Sequence, residues 1–441
     1  MAAERDPEEG YDAELIAKIE EAEQAIAEKK NICCMGHGGT GKSFFVNALL
    51  KRLKKTMSPD SIIAITATTG AAASHIDRCS TVNYAFGIGI GITPTNKFDK
   101  ILSQVKRYKR KFYEKLTLII IDEFSMLPAS TLELLDELLR NIRGSTEFMA
   151  GIPIIFVGDP LQLPPVNDTP VQFMPVWQNA NIHYMLFQTP RRYPDPSHFE
   201  MLNEISVGRL SDSTKKILQA RVVATASATP EELDGCVHLY PTNAQADTVN
   251  REKLAALATE LLDLDAQDDT DDSNIIKQFN NRIPDKITVG VGAKMVYRVN
   301  RDVPRGLFNG AICTVKSLKQ EGIEVEFHNR EKTILIVERN EYVIEIGQAT
   351  YRRLQFPLIP GYAITIHRSQ GATLQKLFCR LDGRVRESGQ AYVAISRVRE
   401  LSGLYIESFD PRCIVADNRA VLLYKMLKMG ADLSSIDWTC M

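Results

Sequence analysis

One stretch decides the fold: Gly36-His37-Gly38-Gly39-Thr40-Gly41-Lys42-Ser43. It fits the pattern GxxxxGK[ST], in which a glycine-rich loop leads into a helix. The apolar run Ile32–Met35 precedes it, and a helical pattern over Ser43–Lys54 follows it. A strand, a glycine loop and a helix in this order predict a P-loop, the phosphate-binding turn of a parallel α/β sheet.

Each residue type in this loop has a chemical reason. Glycines allow backbone N–H groups to curl around a phosphate, and the helix N-terminus adds partial positive charge. The side chain of Lys42 can reach the β- and γ-phosphates, and the hydroxyl of Ser43 can bind Mg²⁺. We therefore predict that residues 36–43 bind the phosphates of ATP and that Lys42 also takes part in catalysis.

A pair of carboxylates follows another apolar run, Leu118-Ile119-Ile120-Ile121-Asp122-Glu123. The carboxyl end of a strand is where ligands bind in open α/β sheets. We predict that Asp122 holds Mg²⁺ and that Glu123 polarises the attacking water. Two acids at a strand end are often merely solvated, but together with a P-loop they indicate a nucleoside triphosphatase.

A third apolar run, Ile154–Val157, leads into Gly158-Asp159-Pro160-Leu161-Gln162-Leu163-Pro164-Pro165. The side chain of Gln162 can hydrogen-bond the γ-phosphate and report its loss, so we predict a catalytic role for it. The simpler interpretation is a turn stiffened by its prolines.

Short β-branched runs alternate with helical patterns through the first half of the chain. The predicted strands are Ile32–Met35, Ile62–Ala67, Leu116–Ile121 and Ile152–Val157, and the predicted helices include Ser43–Lys54 and Ser130–Ile142. This alternation is typical of a parallel sheet covered by helices on both faces. We assign residues 1–223 to one α/β core.

The second half repeats the alternation after a small, polar linker at 224–234. A strand at 237–242 and a long helix at 243–262 open a second core, and the acidic stretch 264–273 is expected to be a solvated loop. Short strands and turns then dominate, which predicts a small inserted β-barrel. The assigned ranges are 235–286 and 354–441 for the second core and 287–353 for the barrel.

Composition and charge exclude some classes of protein but do not indicate what the protein binds. The 441 residues carry a formal charge of −2, so net charge alone gives no argument for nucleic acid. No apolar run approaches the roughly 20 residues that span a bilayer. The start is acidic and helical in pattern, unlike a signal peptide. The eight cysteines include no CxxC pair. We expect an intracellular protein with reduced thiols and no membrane partner.

The motifs together resemble the petite-integration-frequency (Pif-type) DNA helicases, in the 5′-to-3′ or B branch of helicase superfamily one. The resemblance runs in order from about residue 31 to residue 408. The segments that carry it include ITATTGAAASHI, STVNYAFGIG, LIIIDEFSML, FVGDPLQLPPV, LYPTNAQADTVN, VGAKMVYRVN, LFNGAICTVKSL, IHRSQG and YVAISR. The last two are the most specific. The fold it implies is two RecA-like P-loop cores with parallel sheets and a small β-barrel inserted in the second core.

The resemblance also implies roles for residues around the nucleotide. Arg397, in YVAISR, would reach across the cleft from the second core as an arginine finger. Arg191 or Arg192 would supply a second arginine to the γ-phosphate, and the spacing does not decide between them. Gly371 would lie beside the nucleotide.

A second set of implied roles concerns the DNA strand. Threonine, histidine and glutamine side chains from both cores would line its path. They are Thr66, Thr68, Thr365, His367 and Gln370. Each is weak evidence by itself, because a threonine usually packs; their order along the chain is the stronger argument.

The chain departs from the family pattern at three places. The family has a glutamine before the P-loop that contacts adenine, but Ile19 stands near the expected place and Gln24 is the only glutamine nearby. In the family's signature helix, EFMAG (147–151) stands where a Pro-Phe-Gly-Gly turn is common. The P-loop begins Gly-His-Gly-Gly instead of Gly-Ser-Ala-Gly.

The run Val105–Lys115 mixes lysine and arginine with tyrosine and phenylalanine. Cations could follow DNA phosphates while aromatic rings stack on bases. The alternative is an amphipathic helix that packs Tyr108 and Phe112 on the core. The position of the run suggests a small DNA-gripping insertion at about 83–115.

The function expected from the resemblance is an ATP- and Mg²⁺-dependent helicase that steps 5′-to-3′ on single-stranded DNA and opens forked duplexes. We expect a monomer or a transient oligomer on DNA, in the nucleus or another DNA-containing compartment, or in a host cell if the protein is viral. Rival hypotheses are a RecD-like helicase, a P-loop ATPase that remodels RNA or protein, and an inactive DNA-binding relic.

Overall fold

The computed structural model describes residues 11–433 apart from 74, 75, 77, 89–97, 179, 281, 282, 303, 304, 330, 347, 348 and 432. Its first half contains a six-stranded sheet. The strands are β1 (Asn31–Gly36), β2 (Ile62–Ala67), β3 (Ser80–Thr81), β4 (Leu116–Asp122), β5 (Ile154–Gly158) and β6 (Ile182–Phe187). Their order is β3-β2-β4-β5-β1-β6, and every pair is parallel. The predicted parallel sheet is confirmed.

Helices cover this sheet on both faces. They are α1 (Ala13–Ala27), α2 (Lys42–Thr56), α3 (Gly70–Ala73), α4 (Val82–Phe86), α5 (Phe98–Tyr108), α6 (Arg110–Lys115), α7 (Ala129–Arg143), α8 (Pro175–Gln178) and α9 (Pro196–Ser206). One apolar cluster packs α1 and α2 on one face, and a larger cluster packs α7 on the other. All six residues of β1 are buried, which is why that strand is apolar throughout.

The predicted strands of this half agree with the structure within one or two residues. The largest shift is at β5, which begins at Ile154 instead of Ile152. Pro153 lacks a backbone N–H and cannot donate to a neighbouring strand, although its carbonyl accepts from Ile119 N at 3.1 Å. The proline therefore delays the start of the strand.

The second half contains a smaller parallel sheet and an antiparallel region. Its strands are β7 (Val237–Tyr240), β8 (Leu262–Asp265), β9 (Gln267–Asp268), β10 (Lys286–Val289), β11 (Lys294–Tyr297), β12 (Ile312–Leu318), β13 (Ile323–Phe327), β14 (Ile334–Val337), β15 (Asn340–Ile346), β16 (Ala349–Gln355), β17 (Leu358–Pro360), β18 (Ala363–Thr365), β19 (Leu377–Leu381) and β20 (Leu404–Phe409). The parallel sheet has the order β18-β7-β19-β20.

The helices of this half are α10 (Asp212–Ala226), α11 (Pro230–Asp234), α12 (Asn243–Ala255), α13 (Ser273–Asn280), α14 (Ile366–Ser369), α15 (Gln390–Ile395) and α16 (Asn418–Lys428). Helix α10 extends into the predicted linker and packs on the second sheet: Arg221 Nε donates to Leu404 O at 2.8 Å, and Ile406 N donates to Thr225 Oγ1 at 2.8 Å.

The antiparallel strands between β8 and β17 form three groups. Five strands have the order β14-β13-β12-β11-β17, and β15-β16-β9 and β10-β8 form smaller sheets. Among the described residues these pairings do not form one closed ring. The closed barrel expected from the sequence is therefore not confirmed, although the short antiparallel strands are present.

Two expectations for this region are wrong. Helix α12 ends at Ala255 rather than at residue 262, because Leu257 packs into the core of the antiparallel strands and β8 begins at Leu262. The acidic stretch 264–273 is not a solvated loop throughout. Both carboxylate oxygens of Asp268 accept from the fully buried guanidinium of Arg353, each at 2.6 Å. A buried arginine needs such a partner, so this pair fastens β9 to β16.

No helix among the described residues has the length and apolar character needed to cross a membrane.

Candidate functional site

The P-loop holds its lysine against its own backbone. Lys42 Nζ donates to Gly36 O at 2.7 Å and to His37 O at 3.0 Å. Burial lowers the pKa of Lys42, and the nearby carboxylates of Asp159, Glu123 and Asp122 oppose that shift. The ammonium is thus poised to exchange carbonyl oxygens for phosphate oxygens.

Two loop glycines are required by their surroundings. Gly39 and Gly41 have φ values of +84° and +88°, in the left-handed region. A Cβ atom on Gly39 would lie 2.7 Å from Cβ of Arg192, and one on Gly41 would lie 2.8 Å from Cδ of Arg191. The loop and the arginine pair are therefore packed directly on each other.

Asp122 and Ser43 place two oxygen atoms side by side below the loop. Ser43 Oγ donates to Asp122 Oδ2 at 3.3 Å, and Glu123 N donates to Asp122 Oδ1 at 2.9 Å. Burial, followed by the charge of Glu123, raises the pKa of Asp122 to about 7. Two neighbouring carboxyl groups and a hydroxyl are a set of oxygen donors that fits a divalent cation such as Mg²⁺.

Glu123 connects the two sheets. Its backbone is left-handed, with φ of 55°, and its carbonyl accepts from Thr68 Oγ1 at 2.9 Å. Its carboxylate accepts from Gln370 Nε2 at 3.2 Å, and the same amide donates to Ser125 Oγ at 3.0 Å. A change at the carboxylate of Glu123 therefore reaches helix α14 directly.

Arg397 enters the P-loop cavity from the second core. It follows α15, its side chain is buried, and its Nη2 lies 3.5 Å from Gln162 Oε1 and 2.7 Å from Ser396 Oγ. A Cβ atom on Gly38 would lie 3.9 Å from the same nitrogen. Burial and then the charge of Arg192 lower the pKa of Arg397. An arginine from the far core thus faces the phosphate loop.

The two candidate second arginines have different partners. Arg191 Nη2 contacts Asp12 Oδ2 at 2.6 Å and Glu14 Oε2 at 3.6 Å, so this guanidinium is neutralised by the start of α1. The charge of Arg192 lowers the pKa of both Lys42 and Arg397. Arg192 lines the cavity beside Gly39 of the loop.

The residues predicted to line the DNA strand are not equally accessible. Thr66 is fully buried, and its hydroxyl donates to Ile120 O at 2.7 Å within the sheet. Gln370 is also fully buried and contacts Glu123, and Thr365 caps α14 by accepting from Arg368 N at 3.4 Å. Thr68 and His367 keep some exposed surface. Three of the five are thus engaged inside the protein in this arrangement.

One cavity of about 360 Å³ is lined by most of the predicted nucleotide residues, whereas Gly36, His37 and Thr40 are not among its lining residues. Its lining includes residues that the sequence analysis passed over: Phe44, Ala72, Thr373 and Arg399. Gly371 also lines it, with φ of +83°, and a Cβ atom there would lie 3.0 Å from Ala72 N. The close approach of these two backbones joins the cores at the cavity.

Asp159, Tyr392 and Tyr424 had no role assigned from the sequence. Asp159 is fully buried, and its oxygens accept from the hydroxyls of Tyr392 at 2.8 Å and Tyr424 at 3.1 Å. Asp159 follows a buried strand just as Asp122 does, so the same reasoning from the sheet edge would have identified it.

The start of α1 forms the outer part of the site. Ile19 is 1% exposed and belongs to the core, and the Gln24 amide donates to Glu28 Oε1 at 3.0 Å. The half-exposed ring of Phe44 meets Tyr11 edge-on, with centroids 5.8 Å apart. Phe44 lines the cavity, whereas neither Ile19 nor Gln24 is among its lining residues.

Comparison with known proteins agrees with this geometry. The family model described as PIF1-like helicase matches residues 12–184. The ATP-dependent DNA helicase PIF1 of Danio rerio is 32% identical over 424 residues, which cover 92% of this chain and 62% of that protein. The chain is similar to the PIF1-like helicases. It spans less than two thirds of the length of the vertebrate PIF1 relatives that it matches.

Solved PIF1-like structures share the fold over almost the whole chain. The Pif1 helicase of Candida albicans superposes with a TM-score of 0.79 at 25% identity and covers 94% of this chain and 99% of that one. The Bacteroides Pif1 helicase in complex with ADP-AlF3 and single-stranded DNA gives 0.77 at 26% identity, covering 95% and 97%. The resemblance to Pif-type helicases and the α/β fold are thus confirmed.

Proposed function

We propose that this chain is an ATP-dependent DNA helicase that steps along single-stranded DNA, 5′-to-3′ as the family resemblance implies. One observation carries the proposal: Arg397 of the second core lies in the same cavity as the P-loop and contacts Gln162 of the first. A nucleotide in this cavity would touch both cores at once, so binding and hydrolysis would change their relative position.

The residues of the cavity have separate tasks in this mechanism. The amide groups of the loop and Lys42 hold the phosphates, and Glu123 orients the attacking water. Arg192 and Arg397 stabilise the charge of the transferring phosphoryl group. Ser43 and Asp122 would hold Mg²⁺, which adds positive charge beside the phosphates when bound.

Gln370 supports a route from hydrolysis to the DNA strand. Its amide bonds Glu123, and it directly follows α14, which carries His367. Thr68 would have the same role in the first core, because its hydroxyl donates to Glu123 O. We infer that loss of the γ-phosphate moves the segments that carry Thr68 and His367. The side chains of Thr68 and His367 would then contact the DNA strand.

A basic and aromatic surface on α4–α6 fits a nucleic-acid contact. Tyr84 and Tyr108 are 67% and 72% exposed. Lys109 Nζ donates to Tyr84 O at 3.0 Å and lies 5.7 Å from the centroid of the Tyr84 ring, and Arg107 lies 5.1 Å from that of Tyr108. We propose that these four residues, the α4–α6 surface, grip DNA; they belong to the described part of the insertion expected at 83–115.

Further parts of the proposal follow the family. The two parallel sheets would be the RecA-like cores of the motor, and the antiparallel strands would act as the small barrel expected from the sequence. The partners would be single-stranded and forked DNA, bound by a monomer or a transient oligomer in a compartment that contains DNA.

The test compares Lys42→Ala with the unchanged protein on duplexes carrying a 5′ or a 3′ tail, with ATP and Mg²⁺. We expect unwinding of the 5′-tailed duplex and complete loss of DNA-stimulated hydrolysis in the folded variant. A variant with full turnover would refute the nucleotide site. Stimulation by RNA instead of DNA, or by neither, would favour the rival P-loop ATPase, and unwinding of only the 3′-tailed duplex would exclude the polarity.

A further inference from the structure

Asp159 is a fully buried carboxylate shared by the two cores. It stands at the end of β5 in the first core, and Leu161 N of the same loop donates to its Oδ1 at 3.1 Å. Its other close donors are hydroxyls from helices that follow β19 and β20 of the second sheet: Tyr392 on α15 at 2.8 Å and Tyr424 on α16 at 3.1 Å. A buried carboxylate is strongly unfavourable without such donors.

The two tyrosines also hold the P-loop itself. Gly38 N donates to the hydroxyl of Tyr392 at 3.0 Å, so that one oxygen links the loop to Asp159. The imidazole of His37 stacks on the ring of Tyr424, with centroids 5.3 Å apart and planes inclined by 7°. Both residues that open the loop after Gly36 are therefore in contact with the second half of the chain.

Helix α16 reaches these contacts by lying across the first core. Its Arg419 guanidinium lies 4.4 Å from the centroid of the Phe173 ring. Helix α15 approaches the same region by its backbone: a Cβ atom on Gly389 would lie 2.6 Å from Leu161 O. The loop 159–162 is thus covered by two helices of the second half.

We propose that Tyr392 and Tyr424 are positioning residues, and that with Asp159 they form a clasp that holds the P-loop in register with Arg397. The clasp sets where the loop amides stand relative to the guanidinium that must meet the same phosphoryl group. This inference rests on the proposed ATPase function. It assigns the C-terminal helix α16 a part in the nucleotide site.

The geometry separates the effect of the clasp on turnover from its effect on nucleotide affinity. Arg397 stands five residues after Tyr392, and Gln162 stands three residues after Asp159. The two contacts, Tyr392 with Asp159 and Arg397 with Gln162, therefore join the same pair of segments. Loss of the contact between Tyr392 and Asp159 therefore displaces Arg397 relative to Gln162, while Lys42 and the remaining loop amides stay in place.

The test uses substitutions that remove one hydroxyl and keep the ring. The variants are Tyr392→Phe and Tyr424→Phe. The matched control is Tyr184→Phe, because the hydroxyl of Tyr184 accepts from Trp177 Nε1 at 2.8 Å within the first core and belongs to neither the proposed nucleotide site nor the proposed DNA-binding surface. We expect kcat for DNA-stimulated hydrolysis to fall about tenfold in Tyr392→Phe, with KM for ATP changed less than about twofold. The control should keep the kcat of the unchanged protein.

A double variant tests whether the two hydroxyls act through one carboxylate. If they do, the combined loss in kcat differs from the product of the single losses, because partners of one group are not additive. A Tyr392→Phe variant that keeps kcat and loses only thermal stability, as the control does, would overturn the clasp and leave a packing role.

A second readout does not need activity. Dyes on Lys55→Cys and Arg384→Cys, both exposed positions on different cores, report the distance between the cores by energy transfer. We expect Tyr392→Phe to shift the nucleotide-free protein toward longer distances and Tyr184→Phe to leave the distance unchanged. An unchanged distance in both would refute the clasp. If the unchanged protein has no ATPase activity, the proposed function is refuted instead. The distance measurement would still show whether the clasp holds the two cores together.

Discussion

At the scale of single residues, Asp122 is the group whose protonation matters most. Its pKa is raised to about 7, first by burial and then by Glu123, from the value of 3.8 expected for a free side chain. Below pH 3.8 both the folded and the unfolded chain hold the proton, so the group has no effect on stability. Above pH 7 the folded protein carries the buried charge, which destabilises it. Its contribution thus becomes steadily less favourable between these two values.

Asp122→Asn removes this charge. Without Mg²⁺, we expect the variant to melt a few degrees higher than the unchanged protein at pH 8 and at the same temperature at pH 4. Hydrolysis that depends on Mg²⁺ should be lost at both pH values. Thermal denaturation in a chelator across this pH range measures the difference, and Asp60→Asn is the control, because that carboxylate is exposed. Equal melting at pH 8 would contradict the raised pKa.

Arg191 and Arg192 are neighbours in sequence but should respond differently to substitution. Arg192→Ala removes the guanidinium that faces Lys42 and Arg397, and we expect kcat to fall by about 10²–10³-fold. Arg191→Ala breaks the ion pairs with Asp12 and Glu14, so its main effect should be on KM through the position of α1. Steady-state hydrolysis of ATP separates the two. Equal losses in kcat would reject the assignment.

Residues whose roles depend on neighbouring positions in the chain could be predicted from the sequence. Lys42, Ser43 and Asp122 could be identified because a loop and a strand end place them without reference to distant residues. The partnership of His37 with Tyr424 could not, because it is a tertiary contact between opposite ends of the chain and neither residue lies in a motif that requires the other. Pattern also could not separate Arg191 from Arg192, because their difference comes from α1.

At the scale of elements, the basic run before β4 has features of both an amphipathic helix packed on the core and an exposed DNA-binding surface. Phe112 packs on Phe86, with ring centroids 5.8 Å apart, as the amphipathic alternative requires. Tyr108 is 72% exposed instead of joining it. The helix break at Lys109, between α5 and α6, shifts the register, which is why two rings four residues apart face different ways.

The exposed tyrosine gives a direct test of the α4–α6 surface. Tyr108→Ala should weaken binding of single-stranded DNA by about 1–3 kcal/mol if a base stacks on the ring. It should leave thermal stability unchanged. Fluorescence anisotropy with a labelled oligonucleotide measures the affinity, and Val223→Ala, at an apolar position 67% exposed on α10, is the control. Equal affinities in the two variants would show that this surface does not stack on DNA.

The turn 147–151 shows how the chain tolerates a departure from the family pattern. Met149 and Ala150 have φ values of 51° and 54°, where glycine is favoured. The turn persists because the side chain of Met149 is buried and its N–H donates to the buried carboxylate of Asp136 at 2.6 Å. The sequence indicated the unusual residues but not the contacts that compensate for them.

At the scale of the whole molecule, the two halves share buried charges. Asp159 takes its hydroxyl donors from the second half, and Gln162 of the first half lies beside Arg397. The two halves also share one apolar cluster, so separation would expose that surface to water at a cost of roughly 25 cal/mol for each Å² of apolar area. The alternation of strands and helices predicted two sheets, but it could not predict how deeply they interlock.

We therefore expect the protein to unfold in one calorimetric transition instead of two. The shared contacts should make the halves melt together, with equal calorimetric and van't Hoff enthalpies. Differential scanning calorimetry without nucleotide provides the measurement. Two resolved transitions would mean that each sheet is stable without the other.

The position of α16 has a consequence for biosynthesis. A ribosome completes β5 and exposes Asp159 long before it adds the 233 and 265 further residues that lead to Tyr392 and Tyr424. During that interval the emerging first half carries an acid whose proper donors do not yet exist. Nascent chains should therefore acquire a fully positioned phosphate loop only near the end of translation. A stalled or truncated product would bind nucleotide weakly and would have no partial motor activity.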